Sequence, residues 1–155
     1  MNTLESRQSD FFKKPADEFG PGQVDSLRDH LKSVVQALCK QMKAAGNDLE
    51  IMSFSQIGVP GKAMVCRNGS DCKLLINPRI ISLDTSEYVY LQTPRLHTDG
   101  DYIQRYANTA VIEWDLEDGS VERHNMYGIQ AALFQCAVGY LEGIPPWMYD
   151  PIGDW

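Results

Sequence analysis

Three features are missing from this sequence: an apolar run long enough to cross a bilayer, an excess of basic residues, and a C-x-x-C cysteine pair. The first absence argues against a membrane-spanning helix, which needs about 20 consecutive apolar residues. The second argues against nucleic acid as a partner, because proteins that bind it usually present a basic stripe, whereas this chain has a formal net charge of −7. The polar residues 1–10 also lack the basic and then apolar order of a secretory signal. We therefore expect no membrane partner, no nucleic-acid partner and no secretion by a signal peptide.

The four cysteines follow no spacing that is typical of a metal site or a disulfide framework. Cys39 and Cys136 lie inside helix-like apolar patterns, which predicts buried thiols. Cys66 and Cys72 flank a turn-rich segment and could pair across a hairpin, but disulfides are rare in proteins that are not secreted. The pattern favours free thiols and a reducing intracellular compartment.

The length and composition predict one globular domain with two extensions. Of the 155 residues, 43% are hydrophobic and 23% are charged, as in ordinary globular proteins. Residues 1–22 are polar and end in a Gly-Pro-Gly cluster, which predicts an N-terminal arm outside the core. Residues 145–155 combine prolines with aromatic residues and predict a C-terminal tail. The domain between them spans residues 23–144.

The apolar periodicity predicts helix, then antiparallel strands, then helix. Apolar residues three or four positions apart indicate a first helix over residues 25–45, capped by Asp25 or Ser26. Short strands follow over residues 49–116, where the Asn68-Gly69 pair is a strong hairpin signal. A second helix is predicted over residues 127–141. This order is typical of the α+β class.

Three details of these elements can be checked in a structure. Pro78 is predicted to end the second strand of the hairpin. The alternation from Ala110 to Leu116 predicts a half-buried strand, and residues 117–119 should turn it into the next one. In the second helix, one apolar face is predicted to contain Ile129, Leu133, Cys136 and Tyr140.

Several short motifs resemble those of the peptide deformylase family. Residues 56–59 (Q-I-G-V) are similar to the end of the family motif G-x-G-x-A-A-x-Q-I-G-V. Residues 75–78 (L-I-N-P) resemble the Asn-Pro strand that follows it, and residues 141–143 (L-E-G) resemble the L-[DE]-G that closes the last helix. The resemblance covers nearly the whole chain. It implies a fold of antiparallel strands packed around a C-terminal helix, with an N-terminal helix.

Active deformylases remove the formyl group from the N-terminal methionine of new proteins, and they bind a divalent metal. Two histidines of an H-E-x-x-H helix and the cysteine of an E-G-C-L-S strand are the ligands, and the glutamate is the general acid/base. The resemblance places Cys136, Ala137 and Tyr140 at the helical positions and Tyr90 at the strand position. It therefore implies a pseudoenzyme without metal or cofactor. Phe54, Tyr90 and Tyr140 are predicted to fill the former cavity with aromatic rings.

Two alternatives remain open at this stage. Gln56 and the backbone amide of Leu91 match the carbonyl-binding groups of the family, so the chain could bind protein N-termini without cleaving them. Cys136 could be a nucleophile with new chemistry, although its apolar surroundings favour an inert thiol. The histidines predict no metal site, since they lie in three unrelated contexts: His30, His97 and His124.

Aromatic residues at both ends of the chain are candidates for an interface, because such residues are favoured there. The candidates are Phe11, Phe12, Trp147, Met148, Tyr149 and Trp155. The alternative is that the tail folds back over its own sheet. With the lost metal ligands, these extensions predict a structural or assembly subunit of a larger protein complex. Deformylase genes occur in bacteria, organelles and bacteriophages, so a virion component such as a tail or baseplate protein is one setting.

Overall fold

A computed structural model gives the fold and describes residues 9–45, 49–92 and 103–146. Within these ranges the structure has three α-helices: α1 (Gln23–Ser26), α2 (Arg28–Ala45) and α3 (Gly128–Leu141). The strands are β1 (Leu49–Ser53), β2 (Ala63–Asn68), β3 (Asp71–Gln92), β4 (Ile103–Asp115) and β5 (Val121–Tyr127). Short 3₁₀ turns lie at Asp10–Phe12 and at Phe54–Ile57. No helix in the described ranges combines the length and the apolar composition needed to cross a membrane.

The five strands form one antiparallel sheet in the order β1-β2-β3-β4-β5. The β2–β3 hairpin runs from Ala63 opposite Ile76 to Asn68 opposite Asp71, so the turn predicted at Asn68-Gly69 is confirmed. The order of helix, antiparallel strands and helix confirms the α+β class.

The sheet is covered on both faces, one helix to each. Helix α2 packs on one face through Leu31, Val34, Leu38 and Met42, as its periodicity predicts. Helix α3 packs on the other face. Alternate residues of β2 pack on opposite faces of the sheet. Ala63 and Val65 belong to the apolar cluster on the α2 side, whereas Met64 belongs to the cluster on the α3 side. Because this strand is buried on both faces, its sequence reads as a continuous apolar run.

Strands β4 and β5 confirm the predicted alternation. Ala110, Ile112 and Trp114 are all buried on the side of α3. The turn after β4 is closed by a 2.8 Å hydrogen bond from the Leu116 N–H to the Ser120 carbonyl.

Strand β3 continues through Pro78, so the prediction that this proline ends the strand was wrong. Asn77 has a φ of 50°, and the pairing with β4 shifts register between Ile76 and Arg79. A proline is tolerated at such a bulge because no ladder hydrogen bond is required there. The Asn77 side chain binds the backbone of Phe19 in both directions: its Oδ1 accepts from the N–H at 2.8 Å, and its Nδ2 donates to the carbonyl at 2.9 Å.

The N-terminal segment packs on the domain from residue 9 onward, so placing residues 1–22 outside the core was wrong for this part. Phe12 is 1% exposed, and the Ala16 N–H donates to the Leu141 carbonyl at 2.7 Å. Gly143 allows this close approach, because it has a φ of 75° and an added Cβ would lie 2.8 Å from the Lys14 carbonyl carbon. Residues 1–8 lie outside the described ranges.

Helix α3 is buried on more than the one face that its pattern predicts. Ile129, expected inside, is 52% exposed at the start of the helix, while ten residues from Ala131 onward are buried. The sheet covers one side of the helix and the N-terminal segment covers another. The helix is therefore surrounded, which accounts for its continuous apolar sequence.

The cysteine prediction holds for two residues and is wrong for two. Cys66 and Cys136 are free thiols, but Cys39 of α2 and Cys72 of β3 form a disulfide with their Cα atoms 6.5 Å apart. Cys66 lies opposite Lys73, so Cys72 points to the other face of the hairpin, toward α2. Pairing of Cys66 with Cys72 is thereby excluded. A reducing compartment was expected because all four cysteines were expected to be free, and the disulfide removes this reason.

Candidate functional site

The centre of the site is an apolar cluster between α3 and the N-terminal segment. We call it the α3–arm cluster, and its buried members are Phe12, Tyr106, Ala132, Cys136 and Tyr140. The rings of Phe12 and Tyr140 lie 4.7 Å apart. The two α3 positions predicted to replace histidine ligands therefore do share one face, and that face is filled by an aromatic ring from the N-terminal segment.

Ala137 lies between these two positions but faces the sheet. It is 1% exposed and packs in the apolar cluster that contains Ile51, Met64 and Phe134. A methyl group can neither donate nor accept a proton, so the predicted acid/base position carries no such function.

Tyr90 does not fill the cavity, and this part of the prediction was wrong. The Tyr90 side chain is 66% exposed, whereas Val89 and Leu91 pack against the α3–arm cluster. Side chains alternate along a strand, so Tyr90 points away from Cys136. Phe54 and Tyr140 are both fully buried, but Phe54 belongs to the cluster under α2.

Gln56 is buried as part of a helix cap. Its Oε1 accepts hydrogen bonds from the Ser53 N–H at 2.8 Å and the Ser53 hydroxyl at 3.0 Å, and its side chain is fully buried. Together they form a capping box on the 3₁₀ turn Phe54–Ile57. The S-x-x-Q spacing is a known capping signature and could have been recognised in the sequence.

Cys136 is held in an environment that suppresses its reactivity. It is 2% exposed, and burial raises the pKa of its thiol to about 12, although a hydrogen bond with Tyr106 acts in the opposite direction. At pH 8 the thiolate fraction is then about one part in ten thousand, and the thiolate is the reactive form. The expectation of a buried thiol at Cys136 is confirmed.

Thiol alkylation should distinguish the two free cysteines. Native protein treated with iodoacetamide at pH 8 should carry the label at partly exposed Cys66, and Cys136 should react only after unfolding. Peptide mass spectrometry measures both sites in one sample, and a Cys66→Ser variant shows Cys136 alone. Fast, stoichiometric labelling of Cys136 in the native protein would contradict this assignment and favour the nucleophile hypothesis.

The residues present do not fit the divalent metal that the family resemblance implies. A thiol buried among apolar groups and a phenol replace the imidazole donors that such a site uses, and within the described ranges no group of three or more His, Cys, Asp or Glu residues could hold a metal. His30 is exposed on α2, and His124 stacks on Trp114 at 4.8 Å. His97 lies outside the described residues.

A cleft of about 350 Å³ lies on the other side of the N-terminal segment. It is bounded by Asp10, Phe11 and residues 14–17 on one side and by Ser55 and residues 59–61 on the other. Neither Gln56 nor Cys136 lines it, so this cleft is separate from the positions that correspond to the family site.

The interface candidates at the two ends have different outcomes. Phe12 is buried inside the chain and is not a surface anchor, because the N-terminal turn folds onto α3. Phe11 is partly buried at the edge of the same cluster. The remaining candidates lie outside the described residues: Trp147, Met148, Tyr149 and Trp155.

Comparisons with known proteins agree with this fold. Residues 7–150 match the model of the polypeptide deformylase family, and no curated protein sequence matches the chain. A peptide deformylase from Thermotoga maritima superposes with a TM-score of 0.76 at 16% identity, covering 94% of each chain. A probable peptide deformylase from a Synechococcus phage gives 0.72 at 18% identity, covering 97% of this chain and 100% of its own. The deformylase of a Vibrio parahaemolyticus bacteriophage, solved with actinonin, gives 0.73 at 20% identity, covering 92% of this chain and 98% of its own. The antiparallel sheet packed around a C-terminal helix is thereby confirmed, and the chain belongs to the peptide deformylase family.

Proposed function

We propose that this chain is a deformylase-family protein without deformylase activity, and that it acts as a structural subunit of a larger protein assembly. The observation that carries the proposal is the α3–arm cluster. Where the family motif requires two histidines and a glutamate, α3 has Cys136, Tyr140 and Ala137. Phe12 packs on Tyr140 in the cluster that also contains Cys136.

The chemistry of these replacements supports loss of activity. A general acid/base contributes roughly 10²–10⁴ to a rate, and alanine at position 137 supplies none of it. A buried thiol at position 136 and a phenol at position 140 stand in place of the imidazole donors of the family motif. Filling the site with apolar and aromatic groups favours stability over catalysis.

The two alternative functions are less well supported. A module that binds protein N-termini would use Gln56 as a hydrogen-bond donor to a bound carbonyl, but this residue is fully buried and its side chain is held in the cap by Ser53. An enzyme with new chemistry at Cys136 would need an accessible, readily ionised thiol, and neither condition is met.

A bacteriophage virion is the setting that we propose, with a tail or baseplate component as the specific role. Two of the structural relatives are encoded by phages, which supports a phage genome as the source. Mass spectrometry of gradient-purified virions should detect the chain at a fixed ratio to the major structural proteins. Its absence from virions, together with its presence in lysate, would exclude this setting.

The loss of activity is tested on purified protein loaded with Fe²⁺, Ni²⁺ or Zn²⁺. We expect no stoichiometric metal by elemental analysis and no hydrolysis of a formyl-methionyl peptide above the metal-only control. An active deformylase assayed in parallel supplies the positive control. One tightly bound metal per chain with turnover would overturn the proposal, and formyl-methionyl peptide binding that is lost in Gln56→Ala would favour the binding module.

A further inference from the structure

A groove between α2 and β3 is bordered by a basic helix in an otherwise acidic protein. Helix α2 has four basic residues and one acidic residue, which is a net charge of +3. Since the whole chain has a formal net charge of −7, the rest of the chain carries −10. The basic residues are Arg28, Lys32, Lys40 and Lys43. Successive residues of an α-helix turn by about 100°, so these four share an arc of about 120°.

The groove has a volume of about 540 Å³ and an apolar floor. Val24, Leu31, Val35 and Leu74 supply the floor, and Arg28 and Lys32 stand along one rim. Among the residues that the structure describes, Lys32 has no ion-pair partner, although Arg28 is paired with Asp25 at 2.6 Å. The rim therefore offers positive charge to a molecule lying in the groove.

A second hollow of about 430 Å³ adjoins this groove and has the opposite charge. Val24 and Glu117 line both hollows and therefore form the border between them. Among the described residues, the second hollow is also lined by Glu18, Asp25 and Asp115. Asp25 is paired with Arg28 and Asp115 with Arg79, whereas Glu18 shares Lys62 with Glu142, so the excess negative charge comes from Glu18 and Glu117. Glu117 has no ion-pair partner within the described ranges.

We infer that this face is an interface between two copies of the chain related by a twofold axis. A twofold interface uses the same patch on both subunits, so the patch must be complementary to itself. Here the basic rim of one copy can meet the acidic hollow of the other, and the reverse contact forms at the same time. The apolar floors are then covered together near Val24, which both hollows share.

The size and charge of the surface favour this occupant. Helix α2 is about 27 Å long, which allows the roughly 800 Å² per partner of a standard interface. The acidic hollow beside the groove disfavours nucleic acid and anionic membranes, since phosphates would be repelled there. The inference goes beyond the proposed scaffold role, because it rests on the charge distribution and would hold for an active enzyme as well.

Light scattering coupled to size exclusion tests this on the full chain. At an ionic strength of about 0.05 M and a protein concentration of about 0.1 mM, the mass should be twice the chain mass of 17.5 kDa. At about 0.5 M it should fall toward the monomer, because salt screens exposed charges. A monomer under both conditions would overturn the inference.

Charge reversal identifies the surface. Lys32→Glu and Glu117→Lys should each raise the dimer dissociation constant at least about tenfold, and the double variant Lys32→Glu/Glu117→Lys should restore association. Lys13→Glu and Glu87→Lys make the same charge changes at exposed positions away from the groove, and they should leave the dimer intact. Thermal melting confirms that each variant is folded.

Three results would contradict the assignment. The first is a dimer that tolerates Lys32→Glu, and the second is a double variant that stays monomeric. The third is a dimer that survives every charge change and is lost on deletion of residues 145–155, which would place the interface at the C-terminal tail.

Discussion

Replacing Phe12 with alanine is expected to lower the free energy of unfolding by about 3–5 kcal/mol, the usual cost of removing a fully buried aromatic side chain. Phe12 is 1% exposed and packs on Tyr140 in the α3–arm cluster. Its removal would leave a cavity against α3, because surrounding structure relaxes only partly into such a space. The loss should also weaken the attachment of the N-terminal segment.

Chemical denaturation with urea measures this effect. The matched control is Phe11→Ala, which removes the same side chain from the adjacent position, where it is only partly buried. We expect the control to cost about 1 kcal/mol, in proportion to its smaller buried area. If both variants unfold at the same urea concentration, the cluster does not hold the segment in place.

Replacing Gln135 with leucine is the second change with a large expected effect, a loss of about 2–6 kcal/mol in the free energy of unfolding. Gln135 is fully buried, and its side chain binds both backbone groups of Ala107 in β4: Oε1 accepts from the N–H at 3.0 Å, and Nε2 donates to the carbonyl at 2.8 Å. Strand β5 pairs with β4 only from Thr109 onward. Gln135 therefore takes the place of a neighbouring strand at Ala107.

Leucine keeps the volume of the side chain but leaves two buried backbone groups without these bonds, and each costs about 1–3 kcal/mol. Thermal and urea unfolding measure the loss, and amide hydrogen exchange at Ala107 should accelerate in the variant. Gln130→Leu, near the start of the same helix, is the control and should be nearly neutral. Unchanged exchange at Ala107 would show that the bond pair contributes little.

The secondary structure was largely predictable because its signals are local. The apolar spacing of α2, the Asn68-Gly69 turn and the alternation of β4 each concern neighbouring residues, and all three are confirmed. Pro78 was misplaced because a bulge depends on the pairing between β3 and β4, which the sequence of one strand does not contain. The exposed Ile129 shows the same limit at the start of α3.

The directions of the site residues on α3 were predictable from the sequence, whereas the direction of Tyr90 on β3 was not. Cys136 and Tyr140 share a face because residues four apart in a helix must do so. Tyr90 was expected beside them, but its direction depends on the register of β3, and a shift of one residue reverses the face. The side chains of β3 that pack against the α3–arm cluster are those of Val89 and Leu91.

The sequence alone determined the motifs shared with the family and which residues stand at the positions of the family's metal ligands and acid/base: Tyr90, Cys136, Tyr140 and Ala137. These are properties of residue type and local spacing, and no fold is needed to read them. Tertiary structure alone decided that Phe12 packs on Tyr140, that Gln56 is bound within a cap, and that Cys39 forms a disulfide with Cys72, 33 residues away. Each of these depends on how separated segments pack, and packing is set by the whole chain rather than by any local pattern.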